Sequence, residues 1–127
     1  MRVGDTFLGA LPGETPHLWI IITPPNDQNE VVIVNLTSTQ CDFSCRIAVD
    51  DHPFVKKPSV IRYQDARLRS LVHLESALKR GLIQPHHPVA GGLLKKIQQG
   101  ALESEFTPNK VAECVRRWLT SQRERPS

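Results

Sequence analysis

Long apolar runs are missing from this chain. None approaches the roughly 20 residues that a helix needs to cross a bilayer, so a membrane-spanning segment is not expected. The opening Met1-Arg2-Val3-Gly4-Asp5 contains no apolar signal core, so the expected location is the cytoplasm. Cysteine is scarce: Cys41, Cys45 and Cys114 are the three present. An odd count without a secretory signal argues against a disulfide framework and for free, partly buried thiols. Cys41 and Cys45 have no histidine at a familiar ligand spacing, since His52 and the His86-His87 pair do not complete one. No metal and no cofactor are therefore expected. Internal repeats and low-complexity tracts are lacking too. Neither sign of charge dominates: 16 basic residues against 13 acidic give a net charge of +3. That balance permits contact with nucleic acid without demanding it.

What is present fits one α+β domain. The 127 residues are 39% apolar and 23% charged, a globular composition with room for a modest core. The organising stretch runs from His17 to Ser38. Two runs rich in Ile and Val, His17–Thr23 and Glu30–Leu36, flank a connection of Pro, Asn and Asp. β-branched residues favour strands and the connecting residues favour turns, so this reads as an antiparallel hairpin. Neither run alternates cleanly, which predicts strands covered on both faces. The polar residues lie at the hairpin's outer ends, His17 on one strand and Thr37-Ser38 on the other. Antiparallel pairing would bring them side by side.

Further short strands are expected over Thr6–Ala10, Arg46–Val49, Val60–Tyr63 and Leu82–Gln84, with loops at Leu11–Pro16 and His52–Ser59. Leu68–Val72 reads as a strand or as a helix entry. Helical spacing covers His73–Arg80, stopped by Gly81, and a stretch from Gly91-Gly92 to Leu102. Thr107-Pro108 has the form of a helix start, with a capping hydroxyl ahead of a first-turn proline, and the last helix follows. A polar, frayed tail is expected over Ser121–Ser127.

Four stretches in this order resemble the MazF/PemK family of toxin endoribonucleases. They are Gly4-Asp5-Thr6-Phe7-Leu8, His17-Leu18-Trp19-Ile20-Ile21-Ile22-Thr23-Pro24, Val31 through Ser38, and Leu82-Ile83-Gln84-Pro85 through Ile97. The resemblance spans residues 3–102, and the helix at 107–124 falls outside it. It implies a small SH3-like antiparallel barrel with helices packed at one side. It also implies a homodimer, metal-independent cleavage of single-stranded RNA, and restraint by an antitoxin protein. The site it implies lies where the second and third strands end. The family's Thr or Ser falls on Ser38, with Thr37 beside it. The family's arginine position falls on His17, a departure.

RNA cleavage of this kind needs a base for the ribose 2′-OH, an acid for the leaving 5′-oxygen, and cationic groups for the phosphorane. Histidine serves as acid or base but lacks arginine's five-donor fork. Thus His17, Thr37 and Ser38 are the catalytic candidates. His52, Lys56, Lys57, Tyr63 and Arg67 are the substrate-binding candidates, and Arg62 is a further possible cation. Phe54, in the loop with the lysines, is placed to stack on a base. Each group also has an ordinary structural reading: a strand end, a solvated basic loop, an aromatic at the edge of the core. Two other functions remain open. The fold can act as a non-catalytic module binding nucleic acid or a protein such as gyrase. Alternatively, the C-terminal helix is the working surface of a regulatory partner protein.

Overall fold

The computed structural model describes residues 1–9, 16–89 and 91–124. The strands are β1 (Thr6–Gly9), β2 (His17–Ile21), β3 (Glu30–Thr37), β4 (Arg46–Ile47), β5 (Ser59–Ile61), β6 (Arg67–Ser70) and β7 (Gln84–His86). The helices are α1 (Leu71–Lys79), α2 (Gly91–Glu103) and α3 (Asn109–Glu124). Every strand pairing is antiparallel, in the order β4-β5-β3-β2-β1-β7, with β6 also on β3. The α+β class is as expected. Among the described residues the pairing path ends at β4 and β7 and does not close into a barrel. Positions 11–15 of the expected first loop and 125–127 of the expected tail lie outside the described residues, as does Ala10 of the expected first strand.

The central hairpin forms for local reasons. Asn26 Oδ1 accepts hydrogen bonds from the backbone N–H of Gln28 (3.0 Å) and Glu30 (2.8 Å), closing the turn with a side chain. Asn29 takes the left-handed φ of 58° that asparagine tolerates. Register then runs Leu18↔Leu36, Trp19↔Asn35, Ile20↔Val34 and Ile21↔Ile33. The other edge of β3 is shared, with Leu36 and Thr37 paired to β5 and Glu30 to Ile33 paired to β6.

The missing alternation in β3 has a direct cause: both sheet faces are covered. Val32, Val34 and Leu36 join Ile20, Ile22, Ile47 and Ile61 in the main core, capped by Ile97 and Ala101 of α2 and Val111 and Val115 of α3. Val31 and Ile33 point the other way, into a smaller cluster with Phe7, Ile21 and Leu74 of α1. Each fully buried aliphatic side chain stabilises the fold by about 1.5–3 kcal/mol, so the main face carries most of the stability.

The segment read as strand or helix entry is both. β6 ends at Ser70, whose hydroxyl accepts from the His73 N–H, and α1 begins at Leu71. Gly81 (φ 72°) stops that helix, as expected. The start of α3 differs from expectation: Thr107 Oγ1 is buried and makes no hydrogen bond among the described residues. The first turn holds instead through the Ala112 N–H bond to the Pro108 carbonyl. The strand expected over Arg46–Val49 stops at Ile47, because Asp51 Oδ2 takes the Ala48 N–H (2.8 Å) and turns the chain into a 3-10 turn. No helix among the described residues is long and apolar enough to cross a membrane.

Candidate functional site

Register decides whether the predicted groups meet. The last β2–β3 pair is Leu18↔Leu36, one residue short of both His17 and Thr37. The two ends therefore lie side by side, at the mouth of a recess of about 260 Å³ lined by His17, Thr37, Ser38, Phe54, Lys56 and Lys57 among others. Five of the eight predicted site residues share this recess.

The loop carrying the lysines is fixed from beneath. His52 is buried at 5% exposure. Its Nδ1 accepts the Phe54 N–H (3.1 Å), so Nε2 carries the proton and donates to the His87 carbonyl at 2.6 Å. The same carbonyl accepts from Thr6 Oγ1 (2.7 Å), which ties the loop to β1 and β7. His52 is thus an anchor whose two nitrogens are both used, and it does not line the recess. Beside it, burial, and then unfavourable electrostatics with His52, His87 and Lys56, hold the His86 imidazole below its ordinary pKa.

Tyr63 is likewise placed elsewhere. It is fully buried in the main core, where its hydroxyl donates to the Ile97 carbonyl (2.7 Å). Burial, followed by the neighbouring Cys45, raises its pKa far above the ordinary phenol value. Helix α2 approaches closely because position 100 is glycine: a Cβ there would sit 2.3 Å from the Tyr63 hydroxyl oxygen. Tyr63 anchors the 3-10 turn Tyr63–Asp65 that precedes β6.

His17 also lines a second, larger groove of about 700 Å³ on the smaller face of the sheet. The strand registers build it. Trp19 pairs with Asn35, and the pairs Ile33↔Arg67 and Val31↔Arg69 place both arginines on the face of Val31 and Ile33. Arg62 and Asp65 come from the turn before β6, while Leu74, Ala77 and Ile83 form the opposite wall. Among the described residues the groove thus holds three arginines against one carboxylate. Arg67 lies over the Trp19 ring at 5.0 Å, and its Nε donates to the Asp65 carbonyl (3.0 Å). Burial and then the Arg67 charge lower the Arg69 pKa from its ordinary value. Asp65 Oδ2 accepts from Asn35 Nδ2 (3.2 Å) and pairs with Arg62 Nε (3.4 Å). Asn35 is 2% exposed, yet its Oδ1 makes no hydrogen bond among the described residues. Such an orphaned acceptor typically costs about 1–3 kcal/mol.

Arg67, among the predicted residues, falls in this groove rather than in the lysine recess, and Arg62 joins it. Trp19, Asn35, Asp65 and Arg69 were not foreseen. Arg67-x-Arg69 carried a usable signal, since two arginines two apart on a strand share a face. Asn35, a lone amide in a β-branched run, carried another. Among the described residues, no group of three or more His, Cys, Asp or Glu is arranged to hold a metal ion. Chemically, the described residues of the joined recess and groove include one imidazole, three hydroxyls, five cationic side chains, one carboxylate and the half-buried rings of Trp19 and Phe54. That set suits a polyanion carrying planar bases. No known protein-family model matches the chain, and no curated protein sequence matches it.

Proposed function

We propose that this protein is a MazF/PemK-like toxin: a metal-independent endoribonuclease that cleaves single-stranded RNA. The observation that supports this reading is the position of His17, shared by the lysine recess and the arginine groove. The resemblance adds the SH3-like barrel, the homodimer, the cytoplasmic location and an antitoxin that restrains the activity.

In this reading the RNA backbone passes His17 between the two cationic regions. His17 takes the proton from a ribose 2′-OH, and the 2′-oxygen attacks the adjacent phosphorus. The P–O5′ bond breaks, the 5′-oxygen takes a proton from solvent in the open recess, and a 2′,3′-cyclic phosphate remains. Lys56, Lys57, Arg62 and Arg67 stabilise the extra negative charge of the phosphorane, and the Thr37 and Ser38 hydroxyls hydrogen-bond the phosphate oxygens. Trp19 and Phe54 supply stacking surfaces for bases on either side.

A second reading has a specific feature in its favour. The family's arginine is replaced by His17, and a groove of arginines with Trp19 clamps nucleic acid without any acid–base step. One experiment separates the two. Purified protein is incubated with a long single-stranded RNA in EDTA, with His17→Ala alongside. Cleavage by the wild type, reduced at least ~10²-fold in His17→Ala, is expected. Intact RNA with both proteins, despite binding, would overturn the nuclease reading in favour of the clamp.

A further inference from the structure

We infer that Asp65 is a positioning residue for Arg62 through its carboxylate, with its main chain holding Arg67 beside it, an inference that rests on the ribonuclease reading above. An acidic residue is out of place in a groove meant for a polyanion, because its charge opposes the ligand's. It is also the only carboxylate among the described residues lining that groove. Its bonds explain its presence. Arg67 Nε donates to the Asp65 main-chain carbonyl (3.0 Å), and Arg62 Nε faces Asp65 Oδ2 (3.4 Å). The same Oδ2 accepts from Asn35 Nδ2 (3.2 Å), which fixes the carboxylate to the central strand. Arg67 is thus held by a hydrogen bond at its inner nitrogen, and Arg62 by charge alone, since its buried Nε pairs with the carboxylate but makes no hydrogen bond among the described residues. Neither makes a hydrogen bond or ion pair through its terminal nitrogens among the described residues, so the planar two-nitrogen edge of each is left for a phosphate.

The turn that carries Asp65 is rigid for reasons outside the groove. Tyr63, fully buried and bonded to the Ile97 carbonyl, pins its start to α2. The Asp65 N–H bonds the Arg62 carbonyl (3.1 Å), and the Ala66 N–H bonds the Tyr63 carbonyl (3.0 Å). Arg62 is tied in turn to β3, its N–H bonding the Asn35 carbonyl (3.0 Å). The core thereby sets the direction of two arginines on the opposite face. A held guanidinium loses less freedom on meeting the phosphorane, so the gain appears in the chemical step rather than in ground-state binding.

The test is the kinetic split in Asp65→Asn. Removing the carboxylate frees Arg62 and deletes a repulsive charge, so KM for single-stranded RNA should stay level or fall while kcat drops at least ~10-fold. The double variant Asp65→Asn/Arg62→Gln should be no slower than Arg62→Gln alone, because Asp65 acts through that arginine. Unchanged kcat in Asp65→Asn, or fully additive losses in the double variant, would overturn the inference and leave the ribonuclease reading standing. RNA left uncut by the wild type would overturn both. Should Asp65→Asn fail to fold, as judged by thermal unfolding, Arg62→Gln carries the test. The inference requires it to lose at least ~10-fold in kcat, and a smaller loss overturns it.

Discussion

The two faces of the central sheet are built from the same strands and do opposite things. On one face β3 presents Val32, Val34 and Leu36 to a core closed by α2 and α3. On the other, one residue out of step, it presents Val31, Ile33 and Asn35 to a smaller cluster that gives way to a groove lined by Arg62, Arg67 and Arg69. α1 and Ile83 cover only part of this second face. Aliphatic burial supplies stability on the first face, and partial cover on the second leaves room for polar chemistry. Because side chains alternate along a strand, one run of eight residues serves both purposes.

The contrast can be broken in order of expected effect. Ile97→Ala, at the centre of the covered face, should destabilise the fold by about 2–5 kcal/mol in urea unfolding while leaving the RNA affinity of the folded fraction intact. Loss of affinity without loss of stability there would mean that the faces are not separate. Gly100→Ala should cost about 1–3 kcal/mol, because the new methyl meets the Tyr63 hydroxyl at 2.3 Å and α2 must shift. A neutral outcome by thermal melting would show that this close approach is not needed.

Smaller effects test the working side. Replacing Lys56 and Lys57 together by glutamine should leave stability within about 0.5 kcal/mol, since both are exposed. The same change should make the salt dependence of single-stranded RNA binding shallower by roughly 1.4 in log–log slope, about 0.7 per lost phosphate contact. An unchanged slope would remove the recess from the binding path. The smallest effect concerns pH. Burial, and then unfavourable electrostatics with its neighbours, lower the His86 pKa in the folded chain, so the unfolded chain binds that proton more readily. Stability is therefore fully present above the unfolded value of about 6.5 and declines as pH falls below it. Comparing urea midpoints at about pH 7.5 and 5.5 should show the decline, and His86→Asn should flatten it.

Much of this was legible in the sequence, for identifiable reasons. The hairpin announced itself through β-branched runs around Pro-Pro-Asn-Asp, and the meeting of His17 with Thr37-Ser38 followed from antiparallel pairing. The lysine loop's place beside them was not deducible from spacing, yet all fall in one recess. What escaped were properties set by tertiary contact. His52 resembled an active-site residue until both of its nitrogens were found in use on Phe54 and His87. Tyr63 looked like a rim aromatic, but α2 covers it because residue 100 has no side chain. The arginine groove is hidden because the expected strand or helix entry, Leu68–Val72, leaves Arg67 in the turn before it, and only a strand that begins at Arg67 aligns it with Arg69. The unbonded Thr107 hydroxyl is a case where a good local signal went unused.

The two tryptophans offer the most direct measurement of the central claim, that RNA binds on the partly covered face. Trp19 lines the arginine groove, and Trp118 lies on α3 beside a different groove formed with the hairpin turn. Their indole N–H signals can be followed by ¹⁵N NMR while a short single-stranded RNA with 2′-fluoro groups, which cannot be cut by 2′-oxygen attack, is titrated in. The account predicts that the Trp19 signal shifts to saturation while the Trp118 signal stays in place. A shift confined to Trp118 would contradict it and move the working surface to the C-terminal helix.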